Sequence, residues 1–305
     1  MNLHLPDYKS KEDGVLYIIG NGFDLYHGLR SRYIDFHNWL LKDHKDYVDN
    51  MQYIYPKIKD NEYELWSDFE LALESNRDLL ELHNHYKGQD DLLSKDKQKT
   101  YAAEQIEKII NQTQPLLEEW AQTFEYDKIE KVLPLGKNSK YITFNYTKTL
   151  EEVYNIKGED QVLHIHGVVG EGNIITGYGN ERQETPVGSP IERLSQKAIK
   201  NELTKLGKPT AANWERHSDF LEKLGHISTI IVIGHSFADV DRPYFEFLLQ
   251  REPSYTDIKW QYWAHNEQAK KSIQKRINDL CFLWSGLDEK MNEERWRYYI
   301  MDKYK

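Results

Sequence analysis

Cysteine is almost absent: Cys281 stands alone among 305 residues. One thiol cannot form an intrachain disulfide, and it cannot build a multi-cysteine zinc site. Long apolar runs are missing too. No segment approaches the ~20 residues that a bilayer-spanning helix needs, and the opening MNLHLPDYKSKEDG has no signal-peptide core. The expected setting is therefore soluble, intracellular and cytoplasmic. Positive charge is in deficit, with 40 basic against 50 acidic residues and a net charge of -10. Such a surface repels phosphate backbones, so nucleic acid is a disfavoured partner unless bases cluster locally, as near Lys197–Lys208. Aromatics are what the chain does have. Eight Trp, 21 Tyr and 10 Phe supply large burial units and argue against disorder.

Periodicity divides the chain. Val15 to Ile19 is a β-branched apolar run between Gly14 and Gly20, which predicts a buried strand. A polar, aromatic-rich stretch follows, with helical spacing at Leu65, Phe69, Ala72 and Leu73 and again at Ile106, Ile109, Ile110, Leu117 and Trp120. Pro115 is expected to kink or break the second of these helices, and Lys87 to Lys99 reads as a loop. Short apolar runs then return at Tyr141–Phe144, Val162–Ile165, Ile174–Ile175, Ile230–Ile233 and Trp260–Ala264, with helical segments such as Val240–Leu249 and Glu267–Ile277 among them. Strands alternating with helices predict an α/β fold: a Rossmann-like parallel sheet with helices on both faces. Residues 1–305 then read as one domain, with 37–130 a helical insertion in it.

The strand ends carry the candidate chemistry. Gly20-Asn21-Gly22-Phe23-Asp24 follows the first strand, and a G-x-G there permits a tight turn and close approach of a phosphate to backbone. The third glycine, Gly28, is too late for the dinucleotide fingerprint, so a structural turn and a ligand turn both remain open. Asp24 beside an anion site suits a ribose hydroxyl, a base or a cap. Asn145 and Thr147 end the second apolar run, His164, His166 and Gly167 the next, and Gly234-His235-Ser236 the run at Ile230–Ile233. Ligands in open α/β sheets bind at strand carboxyl ends, so these ends describe one site. Gly234-His235-Ser236-Phe237-Ala238 also mimics a nucleophile elbow, but only His265 follows, with no room for an intervening acid-bearing strand.

IIGNGFDLYHGLRSRYIDF, WSDFE, TFNYTKTLE, HIHG and IGHSFADVDRPYF, in that order, resemble the bacterial abortive-infection AbiH family. The matching stretches are 18–36, 66–70, 143–151, 164–167 and 233–245. That family is related to the sirtuin-like NAD-binding fold. Gly20 to Arg30 is similar to the first sirtuin glycine turn, Phe144-Asn145-Tyr146 to the asparagine-bearing strand end, His166-Gly167 to the catalytic His-Gly pair, and Gly234 to Phe237 to the late G-T-S-L. Asn266 is similar to a ribose-contacting asparagine. The single cysteine departs from the four-cysteine zinc module of deacylating sirtuins, which leaves NAD binding or cleavage as the shared chemistry.

The resemblance implies an anti-phage protein that binds NAD as substrate or ligand, with no metal, and hydrolyses its nicotinamide–ribose bond. In that reading Gly20, Asn21, Gly22, Phe23, Gly234 and Ser236 contact phosphates, and Asp239 and Asn266 the ribose. Asn145 holds water or ribose, His166 is the base, with an ordinary pKa near ~6.5, and Asp24 faces developing positive charge. Each has a plainer explanation: a structural strand-end histidine for His166, a helix cap for Asp239 and Asp241, a core tryptophan with a paired acid for Trp66 and Glu70. His164 shares the strand face of His166, but two ligands make a weak metal site; His83 and His85 read as surface. Tyr33, Phe36 and Trp39 read as core. The competing functions are a non-catalytic nucleotide sensor and a toxin acting through a partner protein, and a second copy of the chain is also an open partner.

Overall fold

A computed structural model describes residues 14–54, 66, 79–86, 101–177, 185–251, 258–264, 266–285 and 296–300. The elements follow in the order β1 (Val15–Ile19), α1 (Asn21–Tyr26), α2 (Tyr33–Asp43), α3 (Lys45–Ile54), α4 (Leu79–Tyr86), α5 (Tyr101–Gln122), β2 (Lys140–Thr143), α6 (Thr149–Glu152) and β3 (Val162–His164). After these come α7 (Pro190–Leu203), α8 (Thr210–Arg216), α9 (Ser218–Glu222), β4 (Thr229–Ile233), α10 (Arg242–Arg251), β5 (Lys259–Ala264), α11 (Glu267–Ser285) and β6 (Trp296–Ile300). The chain divides into two compact units. One comprises Met1–Leu29, Glu125–His166 and Ala211–Lys305; the other comprises Arg30–Phe124 and Gly167–Thr210.

The first unit is an α/β sheet of six strands, all parallel, in the order β3-β2-β1-β4-β5-β6. Parallel strands need crossovers, and the crossovers lay helices on the sheet, so a central strand is apolar on both faces. β1 obeys this: all five residues are buried. Its Leu16 and Ile18 pack with Val232, Tyr244, Phe245 and Ile277, so α10 and α11 help cover that face. Val15, Tyr17 and Ile19 pack with Phe23, Tyr26, Leu150 and Val153 from α1, α6 and the turn after it. A buried polar hub ties the second face together. The Tyr154 hydroxyl accepts the N–H groups of Val132 (3.2 Å) and Leu133 (3.1 Å) and lies 2.6 Å from His27 Nε2, while His27 Nδ1 meets the Phe23 carbonyl at 2.7 Å. With Nδ1 donating to that carbonyl, Nε2 is the acceptor, and the tyrosine hydroxyl donates to it.

The second unit is helical. Phe36, Leu40, Val48, Met51, Ile106, Leu117 and Trp120 share its core with Ile199 and Leu203 of α7. Trp66 is fully buried there, edge-on to Phe36 (6.1 Å) and stacked on His37 (4.7 Å). Tyr33 and Trp39 are partly buried against the same core. A capping box starts α7: Ser189 accepts from the Glu192 amide at 3.3 Å, and Glu192 returns a bond to the Ser189 amide at 2.8 Å.

Three expectations are corrected. His83 is buried, not surface, because Leu79 and Leu82 of the same short helix enter the core; His85 is exposed. Ile174–Ile175 forms no strand, since two apolar residues between Gly172 and Gly177 are too few to pair. Of the two outcomes expected at Pro115, the break does not occur; α5 runs through it. The helix loses one N–H donor, but Asn111, whose carbonyl that donor would serve, is exposed to solvent. Interior proline still costs about 3 kcal/mol against alanine, and the 22-residue α5 buries Ile106, Ile109, Leu117 and Trp120 on both sides of it to absorb that cost. Glu70, His265 and the 87–99 segment lie outside the described residues.

Candidate functional site

In the order 3-2-1-4-5-6 the strand sequence reverses between β1 and β4, and the crevice of such a sheet lies there, beyond the carboxyl ends. Two glycine turns meet at this point. Gly20 donates to the Ile233 carbonyl and Gly22 to the Gly234 carbonyl, both at 2.9 Å, and Phe23 donates to the Gly20 carbonyl at 2.9 Å. A Cβ on Gly22 would lie 2.7 Å from Gly234 Cα, and one on Gly20 would lie 2.8 Å from the Gly234 oxygen. Gly234 itself has φ +66, a conformation open to glycine. The missing side chains thus let the two turns touch, and the three amides are bonded within the protein. Phe23 is buried against His27 (4.4 Å) and Tyr154 (5.8 Å), while Asn21 is exposed.

One turn into α1, Asp24 is fully buried. Thr147 and Thr149 donate their hydroxyls to it, each at 2.6 Å, and Asn145 Nδ2 donates at 3.1 Å. Asn145 Nδ2 also donates to the Gly20 carbonyl at 3.1 Å. Burial pushes the Asp24 carboxyl up to about 6, against the opposing pull of the two hydroxyls, His164 and the Asn145 amide. This cluster clamps the loop after β2 onto the loop after β1. His164 extends it, with Nδ1 3.2 Å from the Asn145 carbonyl and Nε2 2.8 Å from Glu151.

His166 belongs to a different group. Its Nε2 lies 3.3 Å from Asp241 Oδ1, and His235 Nε2 lies 3.4 Å from Asp241 Oδ2. All three residues are buried. Phe144 sets its edge against both rings, at 5.1 Å from His166 and 4.3 Å from His235. The Phe237 amide donates to His235 Nδ1 at 2.9 Å, which places the ring proton on Nε2, toward the carboxylate. A ring protonated there is a donor that faces the Asp241 carboxylate. Among the described residues no group of three or more histidine, cysteine or acidic side chains has metal-holding geometry. Phe237 has φ +53, a strained backbone for a bulky residue, held beside the two histidines by this bond and by a tilted ring contact with Phe245 at 4.3 Å.

Asn213 adds a further polar group to this side. It is buried, donates to the Ile165 carbonyl and to the Tyr244 hydroxyl (3.0 Å), and its Oδ1 has no donor among the described residues. Tyr244 lies 5.6 Å from the His166 ring.

The proposed phosphate and ribose residues have varied settings. Ser236 and Asp239 are exposed at the end of β4. Arg276 of α11 donates to the Ser236 carbonyl at 2.7 Å and so sets an exposed guanidinium beside that loop. Asn266 caps α11, its Oδ1 accepting from the Ala269 amide at 2.8 Å. Asp241 sets its carboxylate between the two histidines. Sequence reasoning placed His235 at a strand end of the site without giving it a role, and missed Asp241, Asn213 and Arg276 as site residues. The first two sit in the conspicuous GHSFADVD segment, but their pairing with His166 is a long-range contact.

A family model described as Bacteriophage abortive infection AbiH matches residues 16–263. No curated protein and no solved structure gives a match.

Proposed function

The chain belongs to the bacteriophage abortive-infection AbiH family, and from that premise we propose that it serves anti-phage defence as an enzyme that hydrolyses the nicotinamide–ribose bond of NAD. The observation that carries this reading is the buried His166–Asp241 pair at the carboxyl ends of a parallel sheet ordered β3-β2-β1-β4-β5-β6, where doubly wound sheets place their nucleotide crevice. Asp241 favours the His166 tautomer protonated at Nε2 and leaves Nδ1 as the basic nitrogen. His235, with its own proton fixed toward Oδ2, holds the carboxylate from the other side.

In the proposed reaction a water oxygen bonds to the ribose C1′ as the C1′–N bond breaks. Nicotinamide leaves neutral, its ring nitrogen taking the electron pair, and the water proton passes to His166, whose imidazolium Asp241 stabilises. The Gly20, Gly22 and Phe23 amides are already bonded, so the pyrophosphate falls to the exposed Asn21, Ser236 and Arg276. Asp24 and Asn145 act by fixing the strand-end loops, and the Asn145 amide oxygen is the group left to hold water or ribose.

Purified protein incubated with NAD should release nicotinamide, and His166→Ala should abolish the release while preserving the thermal unfolding transition. Because a freely running NAD hydrolase would harm its host, the same pair is compared in cells under phage challenge, with NAD content as the readout. Equal protection and equal NAD content with both proteins would overturn the proposal.

A further inference from the structure

The second unit contains a cavity of about 580 Å³, within the size range of small-molecule sites. α5 forms one wall, with Asn111, Pro115 and Glu118; Ile174 to Thr176 face it, and Lys205, Gly207 and Pro209 close one end. The wall from α5 is unusual in its acceptors. Pro115 has no N–H, so the Asn111 carbonyl receives no i+4 hydrogen bond. Glu118 accepts the Gly170 amide on Oε1, which fixes the carboxylate, while its buried Oε2 has no donor among the described residues. The buried Thr176 hydroxyl likewise lacks a partner among them. Among the described lining residues the one lysine is already engaged: Lys205 pairs with Glu202 and lies 3.6 Å from Glu107.

The buried Glu118 oxygen and Thr176 hydroxyl, with no donor or cation on them among the described residues, call for a ligand that supplies N–H donors and positive charge; the Asn111 carbonyl is a further acceptor within its reach, and Ile110, Ile174 and Pro209 offer apolar contact to the rest of it. We propose that this cavity binds a small organic cation, an amine or amidinium on an apolar body, with Glu118 and the Asn111 carbonyl accepting its N–H groups. This makes sense of Pro115, which weakens the helix and frees an acceptor at the same position. The inference stands apart from the nucleotide reading, since it involves neither His166 nor NAD.

The test is calorimetric titration of the full chain with benzamidine, with benzoate and benzyl alcohol as the anionic and neutral counterparts. Benzamidine should bind saturably and the other two should not. Glu118→Gln keeps an acceptor for Gly170 but removes the charge, and should weaken benzamidine about tenfold, the scale of a charge-assisted hydrogen bond. Pro115→Ala returns an N–H to the Asn111 carbonyl and should weaken binding several-fold while raising the Tm, so one informative variant folds better than the parent. Absence of saturable benzamidine binding, equal binding of benzyl alcohol, or unchanged affinity in both variants would overturn the proposal.

Discussion

Replacing Asp24 by asparagine should change how stability responds to pH, in a direction set by burial. The Asp24 carboxyl rises from an ordinary 3.8 to about 6 in the folded chain, chiefly because burial strips water from the charged form. The folded state therefore binds more protons than the unfolded state between these values. The stabilisation this gives is fully present below pH 3.8 and is lost as pH rises through about 6. At about 1.36 kcal/mol per pH unit, the loss amounts to about 3 kcal/mol. Asparagine keeps the shape and can keep the partners. Its oxygen accepts from Thr147 and Asn145, as Oδ2 does now, and its amide donates to the Thr149 hydroxyl, which can rotate. Urea unfolding of both proteins from pH 4 to pH 8 isolates this one group from all other titrations. The free-energy difference, variant minus parent, should climb by about 3 kcal/mol across the window and then level off. Parallel curves would refute the reasoning. A difference of opposite sign would show that the three hydrogen bonds outweigh burial.

Gly22→Ala should destabilise the ligand-free protein by about 1–3 kcal/mol, because its Cβ meets the Gly234 backbone at 2.7 Å; unchanged urea stability would mean that the glycine serves only a ligand. Tyr154→Phe leaves the Val132 and Leu133 amides and His27 without their common partner, and should cost about 2–4 kcal/mol in the same measurement. Asp241→Asn keeps the side chain's volume but removes the charge beside His166, and should lower nicotinamide release ~100- to 10,000-fold; parental turnover in a folded variant would separate His166 from its supposed carboxylate.

What was legible in the sequence was what the chain states locally. β1 and β4 read as strands because each is an unbroken apolar run long enough to pair, and β2, β3 and β5 because their runs carry only Thr143, His164 and Gln261 as polar residues. β6 did not, because Trp296-Arg297-Tyr298-Tyr299-Ile300 interrupts its apolar residues with a charge, which an edge strand tolerates where a central one does not. The second contribution to the helical unit, Gly167–Thr210, left no boundary signal, since its packing helix α7 carries only Ile199 and Leu203 to the core while its Ile191 and Leu194 face solvent. In the site, Asn145 and His166 stood out because each ends an apolar run, yet their partners did not. Asp241 lies 75 residues after His166 and looked like a cap, because an acid near a helix start is sufficiently explained by the helix. Asn213 sits mid-helix in a polar stretch, and only its contact with the Ile165 carbonyl shows why it is there.

The glycine turns make the same point in a sharper form. A glycine records that something approaches the backbone too closely for a Cβ, but not what approaches. After β1 the approaching body is the turn after β4: Gly20 and Gly22 lie against Gly234, and Gly234 lies against Gly22 and Phe23. Three glycines that a sequence reader assigns to a phosphate are each accounted for by one another. That has a consequence for how a nucleotide would be held under the proposed function. With the amides of Gly20, Gly22 and Phe23 bonded to carbonyls, the anion recognition which that proposal requires falls to side chains at the rim, and it assigns the role to the exposed Arg276 guanidinium at the Ser236 carbonyl. Binding through a guanidinium is more sensitive to salt than binding through buried backbone amides. Affinity for NAD should therefore fall with ionic strength, and Arg276→Gln should flatten that dependence. If NAD binds with an affinity indifferent to salt in both proteins, the crevice works by a donor set other than the one proposed.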